Sequence, residues 1–264
     1  MSKFIHKLIN TKEGVLVLPR VDTHDSLSLG EPDVRAESAG QLFPLGTALI
    51  TDDGVFRYAK NGGAAVTVGK LLQQAAVGNA AWIKDIAVAA DAAIGATTVT
   101  ITTPTGNLTV NQVKDGWLFV NDATGEGAVY KIKSHPAATA AAACVLTLVD
   151  PIEVALVAGT SKVGIRANLY DGVVVCPTTL TGVPVGWVNH SSFTASYYAW
   201  IKTKGIVAAL TAGTVVVGNN VVPLTTAGAV GPAASDILPI VGKVLNVGAT
   251  TEYSLIQADV EPSW

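Results

Sequence analysis

Hydrophobic positions in this chain fall in short runs, rich in β-branched and aromatic residues and closed by glycine, proline, asparagine or aspartate. Beyond Asp91 the runs at 97–103, 116–120, 128–132, 145–149 and 172–176 follow one another at short intervals. Pro104-Thr105-Gly106, Asn121-Asp122 and Gly125-Glu126-Gly127 mark turns between them. Such a pattern predicts antiparallel β structure, because branched and aromatic side chains fit a pleated surface and turn residues reverse the chain. Residues 182–264 repeat it at 186–188, 195–202, 205–210, 214–217, 221–224, 227–231, 240–245 and 251–256. These later runs alternate less cleanly than a strand with one wet face. Strands covered on both faces, or packed against other chains, have this character.

Residues 46–63 read as a β-hairpin, with Asp53-Gly54 supplying a tight turn and Asn61-Gly62-Gly63 closing the second strand. Leu71, Leu72, Ala75, Ala76, Trp82 and Ile83 predict a short helix within 70–86, interrupted at Gly78 and Asn79. The alanine-rich stretch 137–143 suits a helical turn or a small-residue loop. Residues 1–45 have little periodicity, three breakers (Pro19, Pro32, Pro44) and a charged run of Glu31, Asp33, Arg35 and Glu37. They read as an extended arm that orders on contact, in which 15–18 is a short strand suited to a partner's sheet edge. The expected fold is all-β, mainly antiparallel, in sandwich- or barrel-like modules with at most one or two short helices. Its expected divisions are an arm at 1–45, a hairpin with a short helix at 46–90, a β domain at 91–181, and a C-terminal β region at 182–264 that packs with 46–90.

Composition adds a mismatch to this picture. The 264 residues are 49% hydrophobic, with mean hydropathy +0.43, yet only 14% are charged, against about 25% in ordinary soluble domains. The most apolar stretch, 137–158, is cut by Asp150, Pro151 and Glu153, so it falls short of the roughly 20 apolar residues of a membrane span. The first ten residues lack an uninterrupted apolar core, which predicts synthesis in the cytoplasm without export. Part of the surface is therefore expected to be covered by protein rather than by lipid. A net charge of −3 gives no basic footprint for nucleic acid. The deficit is also local: residues 1–60 hold 15 of the 37 charged side chains, leaving 22 for the other 204 positions. Cys144 and Cys176 stand in apolar runs and read as buried free thiols.

The residues offer little chemistry. Gly63 and Gly69 enclose five residues, and Leu71 follows Lys70, so the segment lacks the spacing and hydroxyl of a phosphate loop. Gly125-Glu126-Gly127 lacks the third glycine of a dinucleotide site. His6, His24, His135 and His190 are scattered, none at the spacing that sets two ligands on one helix face. Asp22-Thr23-His24-Asp25 suits a solvated arm better than a cation site. His190-Ser191-Ser192 puts a base type beside hydroxyls but has no nucleophile elbow around it. Asn107 and Asn189 match the glycosylation acceptor pattern and are chance matches in a chain read as unexported. No catalytic residue, cofactor or metal ligand is expected. Trp187, Tyr197, Tyr198 and Trp200 form an aromatic group that suits core or subunit-interface packing, or a sugar platform. Arg57 and Tyr58 set a cation and a ring side by side on a strand next to a glycine turn, as an interface or a buried strand would.

An ordered set of phrases carries a resemblance. It runs from Leu45-Gly46 through Asp53-Gly54-Val55-Phe56-Arg57-Tyr58-Ala59, Asn61-Gly62-Gly63 and Gly69-Lys70-Leu71. It continues with Asp115-Gly116-Trp117-Leu118-Phe119-Val120-Asn121-Asp122, Gly125-Glu126-Gly127-Ala128-Val129-Tyr130, Asp150-Pro151, Pro184-Val185-Gly186 and Tyr198-Ala199-Trp200-Ile201-Lys202-Thr203-Lys204-Gly205. In these phrases, which cover most of the chain after residue 45, it resembles the head decoration, or capsid cement, proteins of tailed bacteriophages. The resemblance implies a β-rich clamp, often a homotrimer, made in the host bacterial cytoplasm and seated on the outside of an assembled capsid. Its partners would be the major capsid protein and its own copies, with no enzymatic activity, no cofactor, no direct nucleic-acid contact and no membrane. The rival expectation is a receptor- or glycan-binding virion module that uses the aromatic group as its platform. A coat protein is a poorer match, because the usual tailed-phage coat fold includes a long helix.

Overall fold

A computed structural model describes residues 8–18, 31–76, 80–224, 226–233, 238–249 and 251–261. It is all-β, as the sequence pattern requires, and among the described residues it has no α-helix. Residues 1–76 and 169–264 form one compact unit, and residues 77–168 form a second.

The larger unit is organised on one strand, Tyr198–Leu210, whose 13 residues make it the longest. One edge pairs along most of its length with Gly54–Lys60. The other edge takes Glu37–Ser38, Pro184–Val188 and Tyr253–Asp259 in succession. The thirteen-stranded sheet then extends through Ala48–Thr51, Val15–Val17 and Leu8–Asn10 on one side, and through Gly242–Asn246, Asn220–Pro223 and Val230–Pro232 on the other. Most of the first half of Tyr198–Leu210, and all of Pro184–Val188, are buried on both faces. The imperfect alternation of the C-terminal runs thus has an intramolecular cause there, since elements of the same chain cover both faces.

The Asp53-Gly54 hairpin forms as expected, with Ala48↔Arg57 and Thr51↔Gly54 in register. Gly54 has φ of +139°, and a Cβ there would lie 2.0 Å from the Lys204 carbonyl oxygen. Its cross-strand partner Gly205 has φ of +111°, and a Cβ there would lie 2.3 Å from the Asp53 carbonyl oxygen. Two glycines therefore let the hairpin turn press onto the long strand beside a bulge at Lys202–Lys204.

Two expectations are corrected. The segment 70–86 is not a helix: it holds the strand Leu71–Gln73 and a single 3₁₀ turn, Ala80–Trp82. Leu71 and Leu72 are buried in two different clusters, so adjacent residues point to opposite faces, the period of a strand rather than a helix. Val15–Val17, expected to seek a partner's sheet edge, pairs instead with Ala48–Thr51 of its own chain. Leu16, Leu18, Phe43 and Leu45 enter the core with Leu49, Phe56, Tyr58 and Trp200. Residues 1–7 and 19–30 of the expected arm, with His6, His24, Asp22 and Asp25, lie outside the described residues. The stretch 137–143 is a loop, with Ala141 at φ of +63° and Ala143 opening a strand.

The smaller unit is a six-stranded antiparallel sheet in the order Ile86–Ala87, Lys162–Arg166, Trp117–Asp122, Val129–Ser134, Ala143–Leu148 and Thr98–Thr102. A bridge between Val88 and Ile101, and Ala89 N donating to Thr100 O at 2.8 Å, lead the last strand back to the first. The result is a nearly closed barrel, which leaves little edge unpaired. Its interior is filled by Val99, Ile101, Leu118, Ile132, Leu146, Val163 and Ile165.

Candidate protein-interaction site

Of the residues singled out from the sequence, all but Tyr197 lie on strands of the large sheet; Tyr58, Trp187 and Trp200 are buried, and Arg57, Tyr197 and Tyr198 are half-buried. Tyr58 and Trp200 pair across Gly54–Lys60 and Tyr198–Leu210 and are both 2% exposed. Their ring centroids lie 5.2 Å apart, and Phe43 lies 5.2 Å from each. The Tyr58 Oη accepts a hydrogen bond from Leu42 N at 3.1 Å. Burial raises the Tyr58 pKa, and the Leu42 amide offsets part of that rise. Tyr198 is half-buried, stacks on Tyr58 at 6.1 Å and 12°, and has Lys60 Nζ 5.7 Å above its ring. Trp187 is fully buried in a separate cluster with Leu71, Val207, Val221 and Ile256. Tyr197 is half-buried. Trp187 thus lies in one cluster and Trp200 with Tyr198 in another, so these rings do not form a shared exposed surface.

Arg57 points away from Tyr58, as neighbours on a strand do. Its Nε and Nη2 donate to the Glu261 carboxylate at 2.6 and 3.2 Å, and its Nη1 donates to Gly46 O at 2.9 Å. Thr203 Oγ1 donates to Glu261 Oε1 at 2.7 Å. Burial pushes the nearby Tyr170 hydroxyl up to about 12, opposed by the Arg57 charge and reinforced by Glu261. Lys202 is 1% exposed, donates from Nζ to Asp53 Oδ2 at 2.7 Å, and lies 5.2 Å from the Phe56 ring centroid. The sequence reading missed Glu261, Thr203, Lys202 and Asp53. Their signal was the polar Lys202-Thr203 step inside an otherwise apolar run, which calls for buried partners.

The outward face of the same sheet is different in kind. Tyr253–Asp259 alternates strictly, with Ser254, Ile256 and Ala258 buried and Tyr253, Leu255, Gln257 and Asp259 exposed. Ala208 lies opposite Leu255 and Ile206 opposite Gln257, while Asn246 faces Leu255 from the next strand. Ile206, Tyr253 and Leu255 are 48%, 48% and 40% exposed, and Leu245 and Val247 are exposed beside them. The Tyr253 Oη donates to Val68 O at 3.3 Å, which brings a further exposed valine to the rim. Polar groups gather toward one end, where Lys204 Nζ sits 3.9 Å from Asp259 Oδ1 and Lys243 pairs with Gln257. Single exposed apolar residues are ordinary, whereas contiguous ones with a polar margin mark contact surfaces.

The described residues contain no group of three or more His, Cys, Asp or Glu placed to hold a metal, and no helix long and apolar enough to cross a membrane. Both cysteines are buried free thiols, and burial raises Cys144 and pushes Cys176 up to about 11. Comparison with protein-family models, curated proteins and solved structures finds no match to this chain.

Proposed function

We propose that this protein is a structural virion component that binds the outside of an assembled phage capsid and stabilises it by bridging coat subunits. The observation that carries the proposal furthest is the apolar outward face of Ile206, Ala208, Tyr253, Leu255 and Leu245 in a chain only 14% charged. The resemblance of its ordered turn-and-strand phrases to those of capsid cement proteins supports the same reading. A homotrimer engages three sites at once, and linkage raises the effective concentration for the second and third contacts. Modest single contacts then give durable attachment, and binding to the assembled shell alone pulls the assembly equilibrium toward it. No catalytic group is required by this function.

The aromatic platform that a receptor- or glycan-binding module would use lacks support, because Trp187 and Trp200 are buried in different clusters. Mixing the purified protein with undecorated capsids and sedimenting them tests the proposal. Saturable co-pelleting at a fixed ratio to coat protein is the expected result; protein left in the supernatant at every concentration refutes it.

A further inference from the structure

Glu37, Thr194 and His190 meet where the N-terminal segment joins the long strand. Glu37–Ser38 pairs with Tyr198 and Ala199 by two register positions. The Glu37 carboxylate fixes this short strand to the neighbouring bend: Oε2 accepts from Thr194 N at 2.7 Å, and Oε1 accepts from Thr194 Oγ1 in a short contact. Asn61 Nδ2 holds the same bend from the other side, donating to Phe193 O at 2.7 Å and Thr194 O at 3.0 Å. His190 lies against this arrangement, 5% exposed, with its ring centroid 5.5 Å from that of Phe193 in an edge-to-face contact. Among the described residues neither ring nitrogen has a hydrogen-bond partner, and Nε2 is 3.9 Å from Glu37 Oε2, beyond hydrogen-bond reach.

We propose that His190, Glu37 and Thr194 form an acid-sensitive clasp that holds Glu37–Ser38 to the long strand when the imidazole is neutral and loosens when it is protonated. A neutral ring packs here as an apolar body against Phe193. Protonation adds a charge and a second N–H donor to a site where no atom of the described residues accepts within hydrogen-bond distance, the Glu37 carboxylate standing 3.9 Å away. The imidazolium then has two ways to be satisfied. It draws the Glu37 carboxylate away from Thr194, or it swings out of the pocket and unpacks Phe193. Either movement removes support from the pairing of Glu37–Ser38.

The charges act in this sense. Burial lowers the His190 pKa from its ordinary 6.5, and the attraction of Glu37, the charged group that acts on the ring, only partly offsets it. Phe193 and Thr194 bring no charge to the ring. Because the folded-state value is depressed, the stabilisation is complete above the unfolded value. It is lost as pH falls from there toward the folded value.

Hydrogen exchange of the Thr194 amide in the full chain, corrected for the intrinsic pH dependence of exchange, tests the clasp between pH 7.5 and 5. A severalfold loss of protection at the acid end is expected in the wild-type protein, and a flat profile in His190→Phe, which keeps an apolar ring but cannot titrate. Unchanged wild-type protection, or the same acid loss in His190→Phe, overturns the proposal. A direct NMR titration of the wild-type imidazole stands independently of that variant's folding. A midpoint below 6.5, accompanied by shifts at Thr194 and Glu37, is expected; a midpoint at or above 6.5 overturns it.

Discussion

Arg57 and Glu261 illustrate what single residues do in this molecule. A buried ion pair adds little net stability over a well-packed apolar pair, but loss of one partner strands the other charge away from water. Glu261→Ala removes the carboxylate that takes two Arg57 donors and the Thr203 hydroxyl. We expect it to destabilise the larger unit by about 3–5 kcal/mol in denaturant unfolding, whereas Glu261→Gln keeps some acceptor capacity and costs less. In the barrel, His135 Nε2 accepts from Val113 N at 3.1 Å, and its Nδ1 lies 2.9 Å from Pro136 O. The neutral tautomer with the proton on Nδ1 meets both. His135→Leu leaves the buried Val113 amide without that acceptor and should cost about 1–3 kcal/mol, measured as a lower midpoint for barrel unfolding. Neither role was legible in the sequence. In the sequence Arg57 shows only a cation beside a ring, and its partner lies 204 positions away along the chain, a distance no local pattern spans. The burial of Cys144 and Cys176 was legible, because their apolar neighbours alone set it.

Elements were easier to read where the signal is local. The hairpin at Asp53-Gly54 follows from one turn dipeptide between two apolar runs, and the five β runs after Asp91 follow from composition and turn spacing. Where tertiary packing overrides local pattern, sequence reading failed. Leu71 and Leu72 looked like part of a helical stripe, but Leu71–Gln73 pairs with Val174–Val175 and Pro184–Val188, which lie more than 100 residues onward. Val15–Val17 suited any open sheet edge, and the edge it takes belongs to its own chain. The Gly54–Gly205 contact also depends on long-range pairing. A Cβ at either position meets backbone oxygen, in a φ region that disfavours side chains. Gly205→Ala should therefore cost about 1–3 kcal/mol and disturb the neighbouring Lys202–Asp53 pair. A thermal melt indistinguishable from wild type would contradict that account of the bulge.

For the whole molecule, the shortage of charge now has a place. The N-terminal 60 residues carry a quarter of their positions as charges, and part of this stretch folds onto the larger sheet. The charge-poor remainder supplies the barrel and the central strands, whose outward side presents Ile206, Tyr253 and Leu255. The proposed role further expects self-association, with a native mass of three times the 27.0 kDa chain; a monomer at micromolar concentration would remove the trimer from the account. Stabilisation of the shell should appear as a higher temperature of capsid disruption when sites are saturated, because a ligand of the assembled state adds its binding free energy to that state.

The most direct test of the central claim compares wild-type protein with the double variant Ile206→Glu, Leu255→Glu for binding to undecorated capsids by quantitative co-sedimentation. Both substituted side chains point outward, so far-UV circular dichroism and the melting midpoint should stay close to wild type. We expect saturable wild-type binding and at least about a hundredfold weaker binding by the variant, as for two contact residues at about 1.4 kcal/mol or more each. Equal binding by the folded variant, or no binding by the wild type, would contradict the central claim.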